Sequence, residues 1–105
     1  MGDREEQLRS LIAQIAAAVQ PLQIILFGSA ARGMANADSD FDLLVVMPEG
    51  THRRHAAEQL YRTITEITIP FDLLVATPGD LERHRDNPGL IYRTVLQQGQ
   101  TLYAA

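Results

Sequence analysis

Apolar residues recur at three- and four-residue steps near the start of the chain, at Leu8, Leu11, Ile12, Ile15, Ala16 and Val19. That spacing places one apolar stripe on a helix. Asp3 followed three residues later by Glu6 has the form of a capping box, and Pro21 marks the helix end. Leu22–Phe27 is a short apolar run of buried-strand character. Gly28-Ser29-Ala30-Ala31-Arg32-Gly33 then turns and opens a short helix, and Phe41–Met47 is a second buried strand closed by Pro48-Glu49-Gly50. From His52 to about Ile67 the pattern is helical again, with Ala57, Leu60, Tyr61 and Ile64 on one side. Pro70 opens a third strand that runs to Ala76, and Thr77-Pro78-Gly79-Asp80 breaks it ahead of a short helix over 81–85. Asn87 and Pro88 make an N-cap and first turn. Leu90, Ile91, Thr94 and Val95 carry that helix to Gly99, a natural residue for a helix end. Gln100–Tyr103 forms a last edge strand. The order α-β-α-β-α-β-α-β with short buried strands predicts an α/β (α+β) fold, a small mixed sheet with helices packed on it.

Length and composition narrow what such a fold can do. At 105 residues the chain is expected to be one domain, 1–105, able to bury roughly 65% of its unfolded surface in a single core. There is no Cys, which removes disulfides, thiolate metal sites and thiol catalysis. No apolar run approaches the roughly 20 residues that cross a bilayer, and the polar start lacks signal-peptide order; the expected location is the cytoplasm. A net charge of −4 gives no global attraction to a polyanion, so strong nucleic-acid binding is not expected. All nine basic residues are Arg. That is either compositional drift or a use of forked guanidinium donors.

Two of the predicted strands carry the same pentapeptide, Phe41-Asp42-Leu43-Leu44-Val45 and Phe71-Asp72-Leu73-Leu74-Val75, with flanks that do not match. Asp is disfavoured in strands, and an unpaired buried carboxylate is costly. Two at matching positions need a common explanation. Asp40 adds a third acid, and alternation along a strand projects Asp40 and Asp42 from one face. If the third strand lies beside the second, Asp72 joins them. Three carboxylates within roughly 5 Å repel by about 3 kcal/mol per pair at an effective dielectric near 20. Protons or divalent cations must relieve that, and hard oxygen ligands in a D-x-D plus acid set suit Mg²⁺. Upstream, Gly28-Ser29 ends a strand and opens a turn where backbone N–H groups can meet an anion. Taken singly, D-x-D and Gly-Ser are common turn features. Together they place a phosphate cradle beside a cation site.

Gly28-Ser29-Ala30-Ala31-Arg32-Gly33 followed by Ser39-Asp40-Phe41-Asp42-Leu43 resembles the signature of the DNA-polymerase-β-like nucleotidyltransferases, and within them the minimal nucleotidyltransferases of prokaryotes. The resemblance extends over nearly the whole chain, through Asp72 to Gly99-Gln100-Thr101-Leu102-Tyr103. It implies the polymerase-β-like fold and a reaction in which two Mg²⁺ ions on three acids move a nucleoside monophosphate from a nucleoside triphosphate to an acceptor. Carried over residue by residue, it makes Asp40, Asp42 and Asp72 the catalytic, metal-binding acids. Gly28 and Ser29 would bind the β- and γ-phosphates, Arg32 would face the leaving pyrophosphate, and Ser39 would orient the acid pair. The resemblance further implies ATP as substrate and a HEPN-type toxin as partner, whose tyrosine hydroxyl would receive AMP, with this chain as the antitoxin. Two other readings stay open: a non-catalytic module that neutralises a partner by binding, and an enzyme acting on a small molecule or RNA end beside another subunit. His52, His55 and His84 sit among polar residues and are expected at the surface, as is Arg53-Arg54. His84-Arg85-Asp86-Asn87 reads as a helix end. Tyr61, Tyr92 and Tyr103 are conceivable self-modification sites, but packing roles are expected of them.

Overall fold

A computed structural model describes residues 4–28, 40–85, 87 and 91–105. Its elements are helix α1 (Arg4–Val19), strands β1 (Gln23–Phe27) and β2 (Phe41–Val46), helix α2 (Arg53–Thr63), strand β3 (Phe71–Ala76), helices α3 (Pro78–His84) and α4 (Ile91–Gln98), and strand β4 (Gln100–Ala104). The expected helix after Gly28 and the Asp3 cap fall outside the described residues, as do Pro88 and Leu90 of the expected helix start.

The strands form one mixed sheet in the order β3-β2-β1-β4. β1 runs antiparallel to β2 and to β4, whereas β2 and β3 are parallel. The parallel pair is joined through α2, the connection that parallel strands require. Alternation along the strands then sends odd and even residues to opposite faces. Leu43, Val45, Ile24, Leu26 and Val75 meet α1 and α2 through Leu11, Ile15, Ala56 and Leu60. Leu44, Val46, Ile25 and Ala76 form a smaller core on the other face with Val95 of α4 and Leu81 of α3. The apolar runs in β1 and β2 follow from this, since both are central strands covered on both sides.

Three differences from the sequence reading have local causes. α2 stops at Thr63 rather than near Ile67, with Ile64 extended and Glu66 left-handed at φ 63°. The stretch is β-branched at Thr63, Ile64, Thr65, Ile67, Thr68 and Ile69, residues that lose χ1 freedom in a helix. Its backbone is satisfied instead by two side chains of α1. Gln14 donates to Thr65 O and accepts from Thr65 N, both at 2.9 Å, and Gln7 accepts from Thr68 N at 2.8 Å and Ile69 N at 3.1 Å. Gly99 does follow a helix, but close approach explains it better than left-handed backbone: an added Cβ would lie 2.6 Å from Ile25 Cγ2. Finally, Arg53 is exposed as expected, but it also has a partner. It and Arg83 hold the buried carboxylate of Asp80, at 2.9 and 2.6 Å.

Candidate active site

The two pentapeptides pair with each other residue for residue. In the parallel register Phe41 faces Phe71, Asp42 faces Asp72, and the match continues to Val45 and Val75. The shared sequence therefore serves a shared geometry. Odd residues turn to the α1–α2 face, where Phe41 is buried beneath the Arg4 guanidinium, 4.6 Å above its ring, and Phe71 stacks on Tyr61 at 5.7 Å. Each Phe anchors its strand on one face, and the Asp that follows is sent to the other. There it stands at the strand's N-terminal end, away from the Val46 and Ala76 positions covered by the smaller core.

Asp40, just before β2, has the same parity as Asp42, so all three acids share this face. Asp40 and Asp72 are exposed and Asp42 is half-buried. The Asp42 carboxyl is held above the ordinary carboxylate range, first by burial, then by the negative charge of Asp72 and that of Asp40. Asp42 thus sits in a field that its two neighbours make negative. Among the described residues no group of three or more acidic, His or Cys side chains is drawn close enough to hold a metal ion. The parallel register sets Asp42 and Asp72 opposite each other on neighbouring strands.

Gly28 closes the site from β1. Phe27 pairs with Asp42, and the next residue, Gly28, has φ +77°, a conformation costly for any residue with a Cβ. A Cβ there would lie 2.5 Å from Asp42 Oδ2. The glycine gives room to the carboxylate as well as to the turn. The structure thus brings Gly28, Asp40, Asp42 and Asp72 to one end of one face. Ser29, Arg32 and Ser39 lie outside the described residues.

The donor set suits a hard divalent cation. It consists of carboxylate oxygens only, its central member feels the uncompensated charge of the other two, and the neighbouring residue presents bare backbone where a Cβ would collide. The histidines take no part. His52 caps α2 by accepting from His55 N at 3.2 Å, the two rings stack at 3.9 Å, and His84 stacks on Tyr92. The sequence reading gave no part in this neighbourhood to Arg4, and it expected of Tyr61 only packing in its helix. Neither carries a local motif; their helical spacing alone is a weak signal.

No curated protein matches the chain at a significant level. Among solved structures, a crystal structure from Sulfolobus solfataricus assigned to the nucleotidyltransferases is 22% identical. It superposes with a TM-score of 0.61 over 95% of this chain and 85% of that one. A chain from a toxin–antitoxin complex crystallised with AMP-PNP is also 22% identical, with a TM-score of 0.56 over 92% of this chain and 73% of the other. Both likenesses establish the fold. The profile of the nucleotidyltransferase domain family matches residues 8–100, a span that takes in β1 with Gly28, the three acids, and the strands β2 and β3 that align Asp42 with Asp72. On that match the chain belongs to the nucleotidyltransferase domain family.

Proposed function

We propose that this chain is a Mg²⁺-dependent enzyme that transfers AMP from ATP to a tyrosine hydroxyl of a HEPN-type toxin, acting as its antitoxin in the cytoplasm. The observation that carries the reading is the register of β2 and β3, which sets Asp42 beside Asp72 with Asp40 on the same face. A toxin–antitoxin complex with an adenine nucleotide analogue shares the fold, which supports the partner and the nucleotide.

Asp40, Asp42 and Asp72 would hold the cations, whose contribution when bound is to neutralise the triphosphate and stabilise the attacking and leaving oxygens of an in-line displacement. The chain's own groups do the rest. Gly28 and Ser29 bind the β- and γ-phosphates with backbone N–H groups and a hydroxyl. Ser39 orients the acid pair. Asp72, on the exposed edge of the site, takes the proton from the acceptor hydroxyl on a carboxylate oxygen. The acceptor oxygen forms its bond to the α-phosphorus as the bridging bond to the β-phosphate breaks, and pyrophosphate leaves beside Arg32.

The test is to incubate the protein with ATP, Mg²⁺ and the HEPN-type protein encoded beside it, then weigh that protein by mass spectrometry. Addition of AMP units by the wild type and none by Asp42→Asn is expected. A stable complex without mass change would replace transfer by neutralisation through binding.

A further inference from the structure

We infer that Tyr61 is a positioning residue for Asp72: its ring and hydroxyl hold the residues on either side of the third acid, on a strand steadied by the sheet from one side only. The inference rests on the proposed role of Asp72.

β3 is an edge strand. The carbonyls of Pro70 and Ala76 accept from Phe41 N at 2.9 Å and Met47 N at 2.7 Å. Even-numbered residues of β3 therefore turn their backbone groups toward β2, and odd-numbered ones turn them outward. Leu73 N points away from the sheet, and it donates to the Tyr61 hydroxyl at 2.9 Å. The same side chain lies flat on Phe71, with 10° between the ring planes. One residue of α2 thus grips both sequence neighbours of Asp72, one through its ring and one through its oxygen. Asp42 needs no such device, because β2 is flanked by β1 and β3.

Tyr61 is 48% exposed, so its polar tip has water available and does not require this bond. A phenylalanine would keep the stack on Phe71 and lose only the bond to Leu73. Removing the hydroxyl leaves an outward amide at the edge beside Asp72, where water can compete and the strand can shift. The consequence is local: a less fixed Asp72 carboxylate, and a small effect on global stability.

The experiment titrates the full chain with Mn²⁺ alone, following the free ion by electron paramagnetic resonance, and measures amide exchange at Leu73. Four proteins are compared: wild type, Tyr61→Phe, Asp72→Asn and Ile15→Val, the last a destabilised control in the core beneath α1. Tyr61→Phe should exchange Leu73 faster and bind Mn²⁺ about threefold to tenfold more weakly. Asp72→Asn should bind at least as weakly as Tyr61→Phe. Ile15→Val should melt earlier with wild-type Mn²⁺ affinity. Wild-type affinity in Tyr61→Phe with weakened Asp72→Asn would overturn the positioning role and leave the acid's role standing. Unchanged Leu73 exchange in Tyr61→Phe would overturn it too. Wild-type affinity in Asp72→Asn would overturn the reading of the acids themselves, and the inference with it. Tyr61→Ala removes ring and hydroxyl together and should weaken Mn²⁺ further; if it does not fold, Tyr61→Phe decides alone.

Discussion

Asp42→Asn should make this protein more stable while abolishing transfer. Burial, Asp72 and Asp40 all raise the Asp42 pKa, so the folded state disfavours its charge. The sign follows. The penalty is absent below the ordinary carboxylate value near 3.9, develops as pH rises through the raised value, and is complete at neutrality. For its size, paired strands lie about 4.8 Å apart. Two charges about 6 Å apart repel by about 3 kcal/mol at a dielectric near 20, and by under 1 kcal/mol in water. Asp40 and Asp72 are exposed, so the value belongs near the lower end, about 1 kcal/mol. For a domain of this length that is about 4–6 °C in Tm. The assay is thermal unfolding with chelator and low salt at pH 7.5 and again at pH 3.5, wild type against Asp42→Asn. The variant should lead at pH 7.5, the gap should close at pH 3.5, and 1 M salt should shrink it, since the Debye length falls to about 3 Å. A variant that melts at or below wild type at pH 7.5 in low salt would refute the reasoning. Stability gained where activity is lost is the mark of an acid held in place for function.

Other perturbations test other parts of the account. Gly28→Ala forces a Cβ into left-handed backbone and against Asp42 Oδ2, so it should cost about 1–2 kcal/mol and weaken Mn²⁺ binding severalfold in calorimetry. Asp80 accepts from Thr77 N at 3.0 Å and pairs with Arg53 and Arg83, at only 5% side-chain exposure. Asp80→Ala should cost about 2–4 kcal/mol in urea unfolding. Burial alone would raise the Asp80 pKa, but the bonds from Thr77 and the Arg53 charge outweigh it and leave it lowered. Its stabilisation is therefore present above the ordinary value near 3.9 and lost as pH falls through the lowered one, so Asp80→Asn should flatten the acid limb of stability against pH. Gln14→Ala removes both side-chain bonds to Thr65 and should speed amide exchange there with little change at β2.

What the sequence made legible were features with a local signature. Apolar stripes and runs located the longer helices and the central strands, because they record which face is buried, whereas α3 starts at Pro78, three residues ahead of the expected 81–85, since Thr77 and Asp80 form its capping box. The doubled pentapeptide pointed to adjacent strands bearing acids at matching positions, because a carboxylate in an apolar run is costly enough to stand out. Features made by partners distant in sequence stayed hidden. Nothing near Thr65 announces that Gln14 will take over its backbone bonds, so the helical pattern overran the true end of α2. Asp80 reads as a turn residue after Pro78-Gly79, and only the fold brings Arg53 to it across 27 positions. Tyr61 fits an apolar helix face, and its bond to Leu73 depends on which edge of the sheet β3 occupies. The bias toward Arg finds one use here, since two guanidinium groups converge on a single buried carboxylate.

The most direct test is an anomalous difference map from a crystal grown with Mn²⁺ and AMP-PNP. Manganese density against the carboxylates of Asp40, Asp42 and Asp72 is expected, with the phosphates seated against Gly28. Nucleotide bound elsewhere, or manganese that bypasses those three side chains, would contradict it.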